Sequence, residues 1–247
     1  MVVFRLVTFD VTGTLLKFRM SPGEKYAEVA ASFGLKVEPR ILTANFKTHF
    51  RDMCVEHPNF GLLTGIGWKK WWTDVVFKTF DFGSGCATHE VEENILRSIA
   101  ETLIDDYKKS ECWVVTNGSV SLLSNLKDLG ICLGVVSNFD GRLKKVLEST
   151  GLRKYFDFVL ASYEVGFEKP DARIFNNALC CTQKVLQPNQ ALHVGNDPFL
   201  DYKGARNAGW NAVLISNDTH IFNTYDIDKQ FVFPSLNKLS AFLKAGN

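Results

Sequence analysis

Short apolar runs alternate with amphipathic segments through the second half of the chain. The apolar runs predict buried strands at 131–136, 156–161, 191–194 and 212–215. The amphipathic segments predict helices at 119–129, 140–150, 171–181 and 201–208. Asp140 and Asp171 stand at the expected N-caps of two of these helices. Strands that alternate with helices in this way are typical of an α/β fold with a doubly wound parallel sheet.

The chain opens on a further apolar, β-branched run, Val2–Phe9, which predicts another buried strand. This strand would end at Asp10, directly before the turn Val11-Thr12-Gly13-Thr14. Sheets of this class bind ligands at the carboxyl ends of their strands. The position therefore makes Asp10 a candidate nucleophile.

Residues 18–112 do not follow the alternation of strand and helix. Their apolar spacing predicts helices only, at 21–34, 39–51, 68–80 and 90–107, the first of which opens on a capping box. We therefore expect a core domain of residues 1–17 and 113–247, interrupted by an all-helical domain of residues 18–112. An insertion after the first strand would form a lid over the carboxyl edge of the sheet. A separate helical domain with no role at the site is the alternative.

Composition narrows the class of protein. Of the 247 residues, 46% are hydrophobic, which is enough for a globular core. The formal net charge of +1 argues against nucleic acid or an anionic membrane as the main partner, and no apolar run is long enough for a membrane span. The six cysteines form no C-x-x-C pair, which predicts reduced thiols and a location in the cytoplasm or also the nucleus. The oligomeric state stays open.

Polar residues follow the predicted strands at the edge of the sheet where Asp10 would lie. These segments are Ser137-Asn138, Lys169-Pro170 and Gly195-Asn196-Asp197, with Asp201 beyond. A carboxylate, a hydroxyl, a lysine and a second acidic cluster suit phosphoryl transfer. The carboxylate can attack phosphorus while cations and hydrogen-bond donors stabilise the phosphate oxygens.

The segments resemble the four motifs of the haloacid dehalogenase-like (HAD) hydrolase superfamily. In order, they are Asp10-Val11-Thr12-Gly13-Thr14, Val136-Ser137-Asn138, Glu168-Lys169-Pro170, and His193-Val194-Gly195-Asn196-Asp197 with Asp201. The resemblance covers nearly the whole chain. It implies a HAD-like Rossmannoid core, with the helical insertion in the place of a type-1 cap. Two finer details, Trp71-Trp72 and Ser137-Asn138-Phe139-Asp140, are similar to one branch of the superfamily.

The resemblance implies roles for the residues that match the motifs. Asp10 would be the catalytic nucleophile and would become an aspartyl-phosphate, and Lys169 would pair with Asp10 and with the phosphate. Ser137 and Asn138 would bind the phosphate of the substrate, a small phosphorylated metabolite. From these roles we expect the protein to be a phosphoric monoester hydrolase.

The resemblance also implies Mg²⁺ as the cofactor. Its ligands would be Asp10, the backbone carbonyl of Thr12 and an acidic or amide side chain of the fourth motif, either Asn196 or Asp197. Hard divalent cations of this kind take oxygen ligands. Asp201 would orient Lys169 or a metal-bound water.

Two positions depart from the pattern of the family. Thr12 stands where phosphatases of this family usually have a second aspartate, the catalytic acid and base. A threonine hydroxyl does this work poorly, and loss of a general acid–base group typically lowers the rate by about 10²–10⁴-fold. Asn196 stands where the fourth motif usually has aspartate, so the metal site loses one negative charge unless Asp197 compensates.

Three functions follow from these observations. The first is a weak Mg²⁺-dependent phosphatase that acts through Asp10. The second is a catalytically impaired HAD-fold protein that binds a ligand or a protein partner, which Thr12 and Asn196 favour. Cleavage of a C–halogen or C–P bond is the third. His193 lies inside a predicted strand and is not expected in catalysis, and the spacing of Trp68, Trp71 and Trp72 indicates a helix core rather than a substrate site.

Overall fold

A computed structural model of the chain describes residues 4–81, 92–218 and 220–245. The chain divides into two compact units. The core unit comprises Met1–Lys17 and Val114–Asn247, and the helical unit comprises Phe18–Trp113. The division at Trp113 falls next to the boundary expected after residue 112.

The core unit is built on a six-stranded sheet with the order β5-β4-β1-β6-β7-β8. Its strands are β1 (Leu6–Phe9), β4 (Cys132–Ser137), β5 (Phe158–Ala161), β6 (Ala191–Gly195), β7 (Asn211–Ile215) and β8 (Val232–Phe233). All neighbouring pairs in this sheet are parallel. The predicted doubly wound α/β fold is thereby confirmed. The short strands β2 (Leu16–Phe18) and β3 (Trp113–Val115) form a second sheet.

The helices of the core unit lie between its strands along the chain or after the last strand. They are α6 (Ser119–Asp128), α7 (Leu143–Ser149), α8 (Ser162–Val165), α9 (Ala172–Cys180), α10 (Gly204–Asn207), α11 (Ile221–Tyr225) and α12 (Leu236–Ala245). Asp171 is the N-cap of α9, as predicted, because its side chain accepts a hydrogen bond from the backbone N–H of Arg173. The aromatic ring of Phe175 in α9 then packs into the main hydrophobic cluster together with Trp210.

The prediction of Asp140 as an N-cap is wrong. Helix α7 begins at Leu143 and its N-cap is Arg142. The carboxylate of Asp140 instead accepts hydrogen bonds from the backbone N–H and the guanidinium of Arg142, at 2.6–2.9 Å. Both side chains are buried, and the Arg142 guanidinium neutralises the charge of the carboxylate there.

The helix that follows β6 begins earlier than the predicted residue 201. A π-helical stretch, Pro198–Lys203, leads into α10. Asp197 is its N-cap, and the Oδ1 atom of Asp197 accepts hydrogen bonds from the backbone N–H groups of Phe199 and Leu200 at 2.8 and 2.7 Å. This cap engages one carboxylate oxygen of Asp197, a residue of the fourth motif.

The helical unit consists of α1 (Pro22–Ser32), α2 (Pro39–Glu56), α3 (Pro58–Gly61), α4 (Gly67–Thr79) and α5 (Glu93–Asp106). The predicted capping box is present, since the Ser21 hydroxyl accepts from the backbone N–H of Glu24 and the Glu24 carboxylate accepts from that of Ser21. The predicted start of the last helix at residue 90 lies outside the described residues.

Trp71 belongs to the core of the helical unit. Its side chain is fully buried beside Met53 and Val75, and its indole N–H donates to the backbone carbonyls of Met53 and His57 at 3.2 and 3.0 Å. The helix-core interpretation of the tryptophan spacing is correct for this residue.

The structure shows no disulfide bond among the described cysteines. They are Cys54, Cys112, Cys132, Cys180 and Cys181, and Cys86 lies outside the described residues. In the described part of the chain, no helix has the length and apolar character needed to cross a membrane.

Candidate active site

Asp10 follows the central strand of the sheet. Strand β1 pairs with β4 on one side and with β6 on the other, and its apolar side chains are fully buried. The backbone N–H of Asp10 continues the pairing with β6 by donating to the carbonyl of Val194 at 2.9 Å. The sheet therefore fixes the backbone of Asp10 at its carboxyl edge, as the sequence predicts.

Two donors meet on one oxygen of the Asp10 carboxylate. The Ser137 hydroxyl donates to Oδ1 at 2.9 Å, and the Lys169 ammonium donates to the same atom at 2.8 Å. Within the described part of the chain, no group donates to Oδ2. The Asp10 side chain keeps 12% of its surface exposed, whereas Lys169 keeps 2%. The three predicted residues thus come together, with one carboxylate oxygen held and the other available.

Lys169 is held from both ends. Its ammonium donates to Asp10, to Asp201 and to the backbone carbonyl of Val136. Its backbone is held by Asn138, whose Oδ1 accepts from the Lys169 N–H at 2.7 Å and whose Nδ2 donates to the Lys169 carbonyl at 2.9 Å. The structure therefore gives Asn138 a role that differs from the predicted phosphate contact, because its side-chain amide is engaged in positioning Lys169.

Asp201 holds both the backbone at 196–197 and the side chain of Lys169 through hydrogen bonds. Its Oδ2 accepts hydrogen bonds from the backbone N–H groups of Asn196 and Asp197 at 3.0 and 2.9 Å, and its Oδ1 accepts from Lys169 at 2.5 Å. Of the two roles that the sequence left open for Asp201, the structure shows the orientation of Lys169. A carboxylate with this many donors is held in its charged form.

One ammonium between two carboxylates sets the electrostatics of the site. Burial raises the pKa of Asp10, and the Lys169 charge offsets this only in part because Asp201 shares it. Burial alone would lower the pKa of Lys169, but Asp10 and Asp201 together raise it above its ordinary value. Burial also disfavours charge on Asp201, yet Lys169 and His193 hold its pKa below its usual range. The charge on Asp201 is therefore better stabilised than the charge on Asp10.

Oxygen atoms that suit a divalent cation lie at the loop that follows Asp10. Asn196 packs its amide against the Cα of Gly13, where a Cβ would lie 2.8 Å from the amide, and its Oδ1 accepts a hydrogen bond from the Thr14 hydroxyl at 3.1 Å. The amide is thus fixed beside the loop that carries Thr12. No cluster of three His, Cys, Asp or Glu side chains that could hold a metal occurs in the residues described here. The donor set is accordingly one carboxylate with neutral oxygens.

Asp197 caps the helix that begins at Pro198, because its Oδ1 accepts hydrogen bonds from backbone N–H groups. Its role as a metal ligand stays a prediction. Of the two alternatives left open by the sequence, Asn196 is the one whose side chain packs on the first motif. Thr12 is half-buried, and its hydroxyl has no hydrogen-bond partner in the described part of the chain.

Sequence reasoning missed the contribution of Thr8 and His193. Their side chains are hydrogen-bonded to each other, and His193 is bonded to Asp201. A signal was present: a polar residue occurs in each of two strands that otherwise read as apolar. A buried polar side chain needs a hydrogen-bond partner. Two such residues in neighbouring strands could therefore have been predicted to be hydrogen-bonded to each other.

Gly195 makes room for Asp201. A Cβ on Gly195 would lie 2.1 Å from the Cγ of Asp201. We expect Gly195→Ala to push Asp201 off Lys169, to lower the free energy of unfolding by about 1–3 kcal/mol through overpacking, and to lower activity at Asp10. Urea titration and an activity assay measure the two effects.

Gly151→Ala is the control for this substitution. Gly151 has φ +73°, and a Cβ there would meet no atom within 4 Å. The added side chain costs about 1–2 kcal/mol of backbone strain without touching the site. Stability is therefore expected to fall in both variants and activity only in Gly195→Ala. Full activity in a folded Gly195→Ala protein would contradict the assigned fit.

A family model described as "Hydrolase: haloacid dehalogenase-like hydrolase" matches residues 4–209. The chain therefore belongs to the haloacid dehalogenase-like hydrolases, the family that its four motifs resemble. The fold and the convergence of Asp10, Ser137 and Lys169 agree with this assignment.

Relatives of similar length are known from animals. The chain is 41% identical to the "Rhythmically expressed gene 2 protein" of Drosophila melanogaster, over 94% of this chain and 92% of that protein. It is 37% identical to "Haloacid dehalogenase-like hydrolase domain-containing protein 3" of Homo sapiens, over 95% and 92%. The predicted resemblance to one branch of the superfamily is confirmed by this relative.

The fold is also shared with a bacterial protein. The structure of the "putative HAD-hydrolase YfnB from Bacillus subtilis bound to magnesium" matches with a TM-score of 0.74 at 19% identity, over 98% of this chain and 99% of that one. At this identity the likeness shows the fold alone.

Proposed function

We propose that the protein is a weak, Mg²⁺-dependent phosphatase that transfers the phosphoryl group of a small phosphorylated metabolite to Asp10. The observation that carries the proposal is the convergence of Ser137 and Lys169 on Oδ1 of Asp10, while Oδ2 has no donor among the residues that the structure describes. A carboxylate oriented in this way and partly exposed is suited to attack phosphorus.

The residues of the chain divide the chemistry between them. Oδ2 of Asp10 attacks the phosphorus atom, the bond to the leaving oxygen breaks, and its electron pair departs with the leaving group. The Lys169 ammonium and the Ser137 hydroxyl hold the carboxylate in line for this attack. Bound Mg²⁺, held by Asp10, the Thr12 carbonyl and Asn196, would neutralise charge on the phosphate oxygens. Water then attacks the aspartyl-phosphate and regenerates the Asp10 carboxylate and inorganic phosphate.

Thr12 limits the substrates that can be turned over quickly. A poor leaving group such as an alkoxide needs a proton as its bond to phosphorus breaks, and the threonine hydroxyl is too weak an acid to supply it. The leaving groups of acyl and aryl phosphates are carboxylates and phenolates, which depart without receiving a proton. The second step is slow for the same reason, because no carboxylate at position 12 activates the water.

A binding protein without turnover is the second candidate. Thr12 and Asn196 are neutral, and the Asp197 carboxylate is engaged as a helix cap. These features reduce the charge available to hold Mg²⁺ and remove the general base. Such a protein would bind a phosphorylated ligand or a protein partner at the same edge of the sheet.

The setting of the proposed activity follows from the same chain. The net charge of +1 supports a small-molecule substrate rather than nucleic acid or an anionic membrane. The described cysteines form no disulfide bonds with one another, which supports a reducing compartment such as the cytoplasm.

Trapping the phosphoenzyme tests the proposal. The full chain is incubated with acetyl phosphate and Mg²⁺, quenched in acid and mapped by mass spectrometry. A phosphoryl mass increase is expected on the peptide that contains Asp10, and hydroxylamine, which cleaves acyl phosphates but not phosphate esters, is expected to remove it. Omission of Mg²⁺ is the matched control and should lower the yield. An unlabelled Asp10 together with tight binding of phosphorylated metabolites would favour the second candidate.

A further inference from the structure

A line of hydrogen bonds runs behind Lys169, away from Asp10. Thr8 of β1 and His193 of β6 are direct partners in the register of the parallel strands. The Thr8 hydroxyl lies 2.8 Å from Nδ1 of His193, and Nε2 of His193 lies 3.1 Å from Oδ1 of Asp201. The same Oδ1 accepts the Lys169 ammonium. Thr8 and His193 are fully buried, so neither interacts with solvent.

The partners of His193 fix which nitrogen carries the proton. An ionised carboxylate such as Asp201 can only accept hydrogen bonds, so the nitrogen that faces it carries hydrogen. Burial keeps the ring neutral by lowering the pKa of His193, and the ring of Phe175 packs against it at 5.3 Å. A neutral ring protonated at Nε2 has a lone pair at Nδ1. The Thr8 hydroxyl is therefore the donor in its bond to His193.

The geometry of Asp201 shows why this proton matters. Its Oδ2 is engaged by two backbone N–H groups, so the charge that faces Lys169 is concentrated on Oδ1. Oδ1 is shared between the Lys169 ammonium and the His193 N–H. A neutral donor on this atom weakens its hold on Lys169. The ammonium can then keep its hydrogen bonds to both Asp201 and Asp10, rather than shift toward Asp201 and lose the bond to Asp10.

We propose that His193, held as the Nε2–H tautomer by Asp201 with the Thr8 hydroxyl as donor to Nδ1, is a positioning residue that balances Lys169 between Asp201 and Asp10. The inference rests on the proposed function only in its kinetic consequence. Loss of the His193 donor moves the ammonium toward Asp201 and lengthens its contact with Asp10. Phosphoryl transfer slows because the nucleophile is no longer oriented, while substrate binding changes little.

The tautomer is tested without any assay of activity. The full chain, labelled with ¹⁵N-histidine, is studied by NMR in EDTA, and the His193 signals are identified by their loss in His193→Gln. A neutral ring with hydrogen on Nε2 and none on Nδ1 is expected. Hydrogen on Nδ1, or a doubly protonated ring at neutral pH, would overturn the proposal.

Two substitutions of His193 separate the hydrogen bond from the shape of the ring. His193→Phe keeps a flat ring without a donor, and His193→Gln keeps an N–H near the position of Nε2. His193→Phe is expected to lower kcat for Asp10 phosphorylation by about tenfold, the value of one hydrogen bond to a charged group, with KM within about twofold. His193→Gln should restore most of the rate. Equal rates in His193→Phe and the wild type, or no recovery in His193→Gln, would count against the role.

Crystal structures of the same variants distinguish failure of this inference from failure of the proposed function. In His193→Phe, the Lys169 ammonium is expected beyond hydrogen-bond distance of Asp10, and in His193→Gln within it. An unchanged contact in His193→Phe would overturn the inference even where the wild type forms a phosphoenzyme. If His193→Phe does not fold, His193→Leu, which also removes the donor to Asp201, takes its place with the same expected direction and the same opposing outcome.

Discussion

Asp10→Asn is expected to abolish phosphoryl transfer and, at the same time, to stabilise the metal-free fold. An amide is not a nucleophile for phosphorus, so the rate should fall by at least about 10³-fold. The amide oxygen still accepts hydrogen bonds from Ser137 and Lys169, so the local geometry is kept. The substitution therefore removes a charge without removing its contacts.

The gain in stability follows from the pKa of Asp10. Burial raises this pKa above its value in the unfolded chain, which is about 4. A group of this kind contributes stability that is fully present below the unfolded pKa and is lost as pH rises through the folded pKa. The wild type therefore loses stability with rising pH at this residue, and Asp10→Asn does not.

Urea titrations in EDTA between pH 4 and neutrality measure the effect. The difference in free energy of unfolding between Asp10→Asn and the wild type should widen in favour of the variant as pH rises above about 4. A lower stability of Asp10→Asn at neutral pH would show that the carboxylate is net stabilising and would contradict the assigned direction. Residual phosphoenzyme in the variant would show that the nucleophile is a residue other than Asp10.

Thr12→Asp is expected to raise the turnover of alkyl phosphates by about 10²–10⁴-fold, the usual contribution of a general acid–base group. Thr12 is half-buried and its hydroxyl has no partner among the described residues, so a carboxylate can be accommodated without breaking a hydrogen bond. Acyl phosphates should gain less in the first step because their leaving group needs no proton. Steady-state rates on one substrate of each kind measure the difference.

Thr12→Asn is the matched control for this substitution. It has nearly the size of aspartate but cannot transfer a proton at neutral pH, so its rates should stay near those of the wild type. An equal gain in Thr12→Asn and Thr12→Asp would attribute the effect to shape. No gain on either substrate in Thr12→Asp would show that general acid–base catalysis is not what the wild type lacks.

Much of the fold could be predicted because its strands are short apolar runs between helices with clear caps. Asp171 caps α9 and the Ser21 box opens α1, both from local sequence signals. The convergence of Asp10, Ser137 and Lys169 was also predictable, since parallel strands bring their carboxyl ends to one edge. These features depend on periodicity and topology, which the sequence displays directly.

The remaining features depend on choices between hydrogen-bond partners. Asp140 could have capped a helix but pairs with Arg142, and Asp197, predicted only as a candidate metal ligand, also caps the helix at Pro198. Asn138 could have bound phosphate but holds the backbone of Lys169. In each case two partners suit the same polar group, and packing decides which one is close enough.

The long spacing of the site along the chain has a consequence for how the protein is made. Asp10 is separated from Ser137 by 127 residues and from Lys169 by 159. During synthesis, β1 leaves the ribosome well before its two neighbours exist, and its apolar side chains have no sheet to cover them until β4 and β6 arrive. The proposed transfer of phosphate to Asp10 would consequently be a late event in biogenesis, and its onset in a nascent chain would mark the moment when the central strands have joined.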